Sequence, residues 1–204
     1  MKKLFILIAI TCSLQSIHSQ EVYFAAGKNF TTYDYKNSSG ASNPNLKSGT
    51  GNFFELGFIN PLGDGKFAYS AGLALNEYNN VGGNSVNSYS WNTQYLGVQG
   101  GFTYSIFDRK DFDILPKFGL NMGTIISGKQ TINGTYYDLT KEKEFSGLLI
   151  TPSLGVQVKY NLSASGFISL GYSYCKGFNL SNSTDQKLSF NTNQLQFGVH
   201  YAIK

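Results

Sequence analysis

The sequence predicts an all-β fold, an eight-stranded antiparallel up-and-down barrel, and three observations carry that prediction. Apolar and polar residues alternate with period 2 in segment after segment, the signature of strands rather than helices. A glycine recurs once per segment on the polar or small face. The spacing of those glycines alternates between long and short.

The alternation is clearest at the end of the chain. Leu195, Phe197, Val199, Tyr201 and Ile203 share one face, with Gln196, Gly198, His200 and Ala202 on the other. Residues 148–160 set Leu154, Val156, Val158 and Tyr160 against Ser153, Gly155, Gln157 and Lys159. Residues 67–76 set Phe67, Tyr69, Ala71, Leu73 and Leu75 against Ala68, Ser70, Gly72, Ala74 and Asn76.

The strand glycines are Gly27, Gly57, Gly72, Gly97, Gly119, Gly155, Gly171 and Gly198. Glycine weakens an ordinary strand interior. The inner wall of a small closed barrel is crowded and takes small residues between large ones. Successive gaps of 30, 15, 25, 22, 36, 16 and 27 residues describe a meander with short turns at one end and long connections at the other. The short connections are 60–65, 107–113 and 161–165. The long ones, 36–50, 78–90, 128–147 and 177–192, are rich in Asn, Ser, Gly and Thr and read as solvated loops. Within the third, Asn133-Gly134 marks a tight hairpin standing above a membrane. Counting it into the wall would give ten strands; Lys141-Glu142-Lys143-Glu144 just after it is unsuited to lipid, which favours eight.

Before the strands lies an address. Met1-Lys2-Lys3 is a basic start, Leu4–Ile10 an apolar stretch, and Ser19 a small residue suited to cleavage. Residues 1–19 therefore read as a signal peptide for Sec export, and 20–204 as the barrel domain. Thr11 stands before Cys12 where a lipidation motif usually has Gly or Ala, which speaks against a lipid anchor. The remainder carries 14 basic and 12 acidic residues, one His and one Cys. That balance excludes a nucleic-acid footprint, and one His and one Cys supply no metal cluster or internal disulfide; no cofactor is expected.

Aromatic residues sort by height. Tyr23, Phe58, Phe67, Tyr69, Tyr104, Phe107, Phe112, Tyr160, Phe167 and Tyr201 fall near the short turns. Phe30, Tyr33, Phe53, Tyr78, Tyr89, Trp91, Tyr174 and Phe178 fall near the long loops. Two aromatic girdles around an apolar band describe a transmembrane β-barrel. A soluble sandwich gives no reason for connections to alternate in length.

The export signal, Gly-centred strands, short turns and long polar connections resemble the small outer-membrane β-barrels of Gram-negative bacteria. The OmpX- and OmpA-type barrels and the PorT-like proteins of the outer membrane protein β-barrel domain group are similar across residues 20–204. The chain departs from them at its end, where Lys204 follows Ile203 instead of a terminal aromatic residue. The resemblance implies an integral outer-membrane location, with lipid and the insertion machinery as partners, and a surface or envelope protein met through the long loops. It implies a non-enzymatic role in surface interaction, adhesion or envelope structure. A PorT-like secretion accessory, a narrow porin and a lipid-modifying barrel enzyme are the alternatives.

Chemical motifs mostly fail. Gly123–Lys129 resembles a phosphate-binding loop, but Gln130 replaces the required Ser or Thr and Asn133-Gly134 forbids a following helix. Hydrolase chemistry needs a His with a Ser and a carboxylate. His200 is the one His outside the signal peptide, and it reads as a satisfied interior group. The inward polar set is Glu55, Gln99, Lys117, Asn121, Gln157, Lys159 and His200, with Ser169, Ser173 and Gln196. An eight-stranded barrel is just wide enough for side chains to fill, and buried charges require partners. Glu55 is therefore expected to reach Lys117 or Lys159.

Overall fold

The computed structural model describes residues 20–36, 46–63, 65–83, 88–109, 111–180 and 187–203. Residues 1–19, read from the sequence as a signal peptide, and Lys204 lie outside the described residues. The elements are β1 (Gln20–Lys36), β2 (Leu46–Leu62), β3 (Phe67–Gly83), β4 (Ser88–Tyr104), β5 (Phe107–Asp108), β6 (Phe112–Ile132), β7 (Thr135–Asp138), β8 (Leu149–Asn161), β9 (Gly166–Asn179) and β10 (Lys187–Ile203).

Eight long antiparallel strands form a ring in the order β4-β3-β2-β1-β10-β9-β8-β6, and β4 pairs with β6 to close it. The closing pair of chain ends is long: Gln20 faces Ile203 and Lys36 faces Lys187. Closure removes the unpaired edges that an open sheet would expose. Two short pieces stand off the ring. β5 pairs with the start of β6, and β7 pairs with its end across Asn133-Gly134. Both turn residues have positive φ, 47° and 85°, as the tightest hairpin turn requires. The wall thus has eight strands, and the Asn-Gly hairpin is an extension of β6. The phosphate-loop-like stretch Gly123–Lys129 is itself strand.

The long connections are shorter than their composition suggests. Residues 46–50, 78–83, 88–90, 128–132, 177–179 and 187–192 are strand, not loop. A transmembrane strand needs about 9–11 residues. A 17-residue strand tilted near 45° climbs about 40 Å, well beyond a hydrocarbon core. The barrel therefore continues past the bilayer at the long-connection end.

The outward faces show where the bilayer stops. Lys28 Nζ donates to Asn52 Oδ1 (2.7 Å), Asn52 Nδ2 to Glu77 Oε2 (2.9 Å) and Gln94 Nε2 to Glu77 Oε1 (2.8 Å). On the next strands Tyr172 donates to Asn193 and Tyr174 to Asn191. Toward the short turns from this polar row the exposed residues are Phe24, Phe54, Leu56, Leu73, Leu96, Val98, Phe118, Leu154, Leu170 and Phe197. Both register irregularities fall near the row, between Ser48 and Phe53 and opposite Gln94/Tyr95, where bulges re-aim the strands.

Two glycines show why the inner wall needs them. Gly72 lies opposite Gly57, and a Cβ on it would stand 2.5 Å from the Leu56 carbonyl oxygen. A Cβ on Gly171 would stand 2.5 Å from Gln196 Nε2, because that side chain lies flat across the glycine.

Candidate functional site

The lumen has two compartments, with different chemistry. At the long-connection end it is closed by an aromatic plug. Tyr33, Tyr78, Trp91, Tyr95, Leu139, Phe145, Leu149 and Phe190 form one buried cluster. Tyr78 and Phe190 have ring centroids 4.3 Å apart, and Trp91 meets Tyr33 and Phe145 edge-on, each at 5.4 Å. Such pairs add about 0.5–1.5 kcal/mol each beyond burial. The phenols are satisfied: Tyr33 donates to the Tyr78 carbonyl (3.1 Å) and Tyr95 to the Phe145 carbonyl (3.3 Å).

The segment between β7 and β8 folds over the mouth to complete this plug. Leu139 and Phe145 point inward, and Asn179 Nδ2 ties the segment down through the carbonyls of Glu144 (2.8 Å) and Ser146 (3.1 Å). Asp138 turns the chain. The Thr140 backbone N–H (2.8 Å) and hydroxyl (2.7 Å) both donate to its carboxylate and hold it below the usual carboxylate range.

The aromatic girdles need correction on this point. Tyr33, Phe53, Tyr78 and Trp91 are buried in the lumen rather than turned to lipid, and so is Tyr23 at the other end. The girdle near the short turns retains Phe58, Phe67, Tyr104, Phe107, Tyr160 and Tyr201 as exposed residues; the other retains Phe30, Tyr174 and Phe178. The physical reason is solvent. Beyond the polar row the outside of the wall meets water, so Tyr33, Tyr78 and Trp91 turn inward as in a soluble barrel, while Tyr23 and Phe53 pack with Ala25 and Ala74 lower in the lumen.

Below the plug the lumen is polar and filled. Thr31 and Thr192 hydroxyls meet at 2.8 Å, and Gln194 Nε2 donates to Asn29 Oδ1 at 2.9 Å. Asn121 and Gln99 line a void of about 20 Å³ beside Lys117, and a second void is about 10 Å³. Each has room for about one water, and neither is a conduit.

Two ion-paired groups follow. Tyr23 donates its hydroxyl to Glu55 Oε1, and Lys117 Nζ lies 4.0 Å from Glu55 Oε2. Lys159 pairs instead with Glu21 Oε2. His200 is buried between Glu21, whose Oε1 is 2.6 Å from Nδ1, and Ser169, whose Oγ is 2.7 Å from Nε2. Gln157 Nε2 lies 3.4 Å from the same His200 nitrogen, and the Tyr23 ring stacks on the imidazole at 5.6 Å. A cavity of about 220 Å³ opens at the short-turn mouth onto Glu21, Gln157, Lys159 and His200. Of the inward polar set, Glu55, Lys117, Gln157, Lys159, Ser169, Gln196 and His200 thus sit in or beside the ion-paired part of the lumen, and Gln99, Asn121 and Ser173 line the small void next to it. Glu21 and Tyr23 complete the network; sequence reasoning passed over Glu21 and placed Tyr23 in the girdle. Their alternation with Val22 and Phe24 carries the signal.

A closed ring of eight strands with lipid-compatible residues outside and a polar lumen is an integral outer-membrane barrel. The chain belongs to the outer membrane protein beta-barrel domain family, which it matches over residues 4–202. Short turns in such barrels face the periplasm and longer connections face the exterior, so the plug is exterior and the cavity periplasmic. Among curated proteins none matches the sequence. Solved structures share the fold at low identity. The outer membrane protease OmpT of Escherichia coli is 9% identical, with a TM-score of 0.50 over 92% of this chain and 98% of that one. Neisserial surface protein A is 14% identical (TM-score 0.47, 88% and 96%). The attachment invasion locus protein Ail of Yersinia pestis is 14% identical (TM-score 0.42, 89% and 98%).

Proposed function

We propose that this protein is a closed outer-membrane barrel that works at the cell surface, in adhesion, surface interaction or envelope stabilisation, and does not conduct solutes. The observation that carries this reading is the aromatic plug. Trp91, Tyr95, Phe145 and Phe190 fill the exterior half of the lumen, so the barrel spends its largest side chains on a rigid extramembrane body. That body presents the β6–β7 hairpin, on which Tyr136 and Tyr137 are exposed and Lys129 lies 3.4 Å from the Tyr136 ring centroid. Exposed tyrosines on a rigid element are the usual anchors of a binding surface. The plug also weighs against the narrow-porin reading.

The test has two parts. Purified barrel in planar bilayers should give no steady conductance; ohmic single-channel steps would contradict closure. Cells displaying a variant with residues 132–137 replaced by a two-residue turn should keep the folded, heat-modifiable barrel and lose adhesion to a surface that the wild type binds. Unchanged adhesion would remove the hairpin from the function.

A further inference from the structure

We propose that Ser169 is an activated nucleophile, with His200 as its general base and Glu21 as the positioning carboxylate, serving a small acyl ester that enters by the periplasmic mouth. The three residues come from β9, β10 and β1 and meet only because the barrel closes between its first and last strands. Ser169 Oγ lies 2.7 Å from His200 Nε2, and His200 Nδ1 lies 2.6 Å from Glu21 Oε1. Those are the two contacts, in the order nucleophile, base and orienting acid, that define an activated serine.

The surroundings favour the reactive tautomer. Glu21 is acceptor-only when ionised and therefore takes the proton on Nδ1. Gln157 Nε2, 3.4 Å away, offers His200 Nε2 no acceptor, so that nitrogen carries no proton and its one lone pair takes the closer Ser169 hydroxyl at 2.7 Å. Lys159 grips the other Glu21 oxygen, and Tyr23 stacks on the ring, so neither carboxylate nor imidazole is free to turn. Gly198 makes the room. A Cβ there would stand 2.6 Å from Ser169 Oγ and 2.8 Å from His200 Nε2.

The cavity of about 220 Å³ is lined by Gln157 and by His200, the imidazole that contacts Ser169 Oγ, and its size suits an acetyl-sized or short-chain acyl group. In the reaction Ser169 Oγ bonds to the carbonyl carbon while its proton passes to His200 Nε2. The bond from that carbon to the leaving oxygen then breaks, and His200 returns the proton to the alkoxide. Water repeats the sequence and frees the acid, so no oxidant or reductant is needed. This departs from the satisfied-interior reading of His200 drawn from sequence, since a merely structural network would not make Ser169 reactive.

The experiment uses the folded full chain in detergent, with folding verified by heat-modifiable migration. Wild type is treated with a small alkyl fluorophosphonate and mapped by peptide mass, and its release of nitrophenol from p-nitrophenyl acetate is followed. The expected result is one adduct, on Ser169, and an initial burst near one equivalent. Ser169→Ala should abolish both, and His200→Gln should slow adduct formation by at least about 100-fold. Ser169→Cys should alkylate with iodoacetamide at residue 169 ahead of the buried Cys175. Absence of a Ser169 adduct on folded wild type overturns the proposal. So does an adduct whose rate is unchanged in His200→Gln, or a Ser169→Cys thiol no more reactive than Cys175.

Discussion

The membrane half and the exterior half of this barrel use the same strands with opposite polarity. Strand β4 shows the switch most plainly. Leu96, Val98 and Phe102 point out, with Gly97, Gln99 and Thr103 inside; four residues earlier Asn92 and Gln94 point out, with Trp91, Thr93 and Tyr95 inside. The backbone direction does not change, only the solvent beyond the wall. Against lipid the apolar face is the outer one. Against water it must be the inner one, because burying apolar area is worth about 25 cal/mol per Å² only when water is what it leaves. Strand β10 repeats the inversion, with Phe190 inside near one end and Phe197 outside near the other.

This contrast can be broken at single residues, and the largest effect is expected in the plug. Trp91→Ala or Phe190→Ala leaves a cavity among aromatic neighbours and should cost about 3–5 kcal/mol, read from the urea midpoint of the heat-modifiable band. Leu195→Ala on the lipid face should cost about 1 kcal/mol or less, because lipid tails fill the space. Equal costs at the two positions would deny that the plug is a true core.

Glu55→Leu comes next. It strands the Lys117 ammonium in the filled lumen and should cost about 3 kcal/mol. Restoring neutrality with Lys117→Met in the same chain should recover most of that loss by the same assay. Polarity itself is tested on one face of β4. Val98→Arg should destabilise by about 2–3 kcal/mol, whereas Asn92→Arg, six residues away and equally outward, should stay within about 0.5 kcal/mol. The smallest effect belongs to the hairpin, where Tyr136→Ala or Tyr137→Ala should leave stability within about 0.5 kcal/mol while weakening adhesion.

The same inversion explains which parts of the molecule were legible in the sequence. Membrane segments such as Leu195–Ile203 read directly, since apolar and polar residues alternate with strong contrast. The ring count followed from Gly-to-Gly spacing. Beyond the polar row the contrast collapses: Asn79, Asn80 and Ser90 look like loop, although all lie in strands. Sorting Tyr33, Phe53, Tyr78 and Trp91 by height instead of by phase placed them in a lipid-facing girdle. In the site, Glu55, Lys117, Lys159 and His200 were legible as inward residues. Their pairings were not, because the partner of Lys159 is Glu21 at the far end of the chain, brought close only by ring closure.

The contrast between the halves rests on a lumen filled by the plug on the exterior side and opening to a cavity on the periplasmic side. It is tested most directly by two single-cysteine variants in a background with both Cys12 and Cys175 replaced by Ser, Thr93→Cys within the plug and Thr103→Cys beside the cavity, exposed to a membrane-impermeant thiol reagent from either face of an oriented bilayer. Residue 103 should react from the short-turn face alone, and residue 93 from neither. Labelling of residue 93 from the long-connection face, in a protein that still migrates as folded, would contradict it.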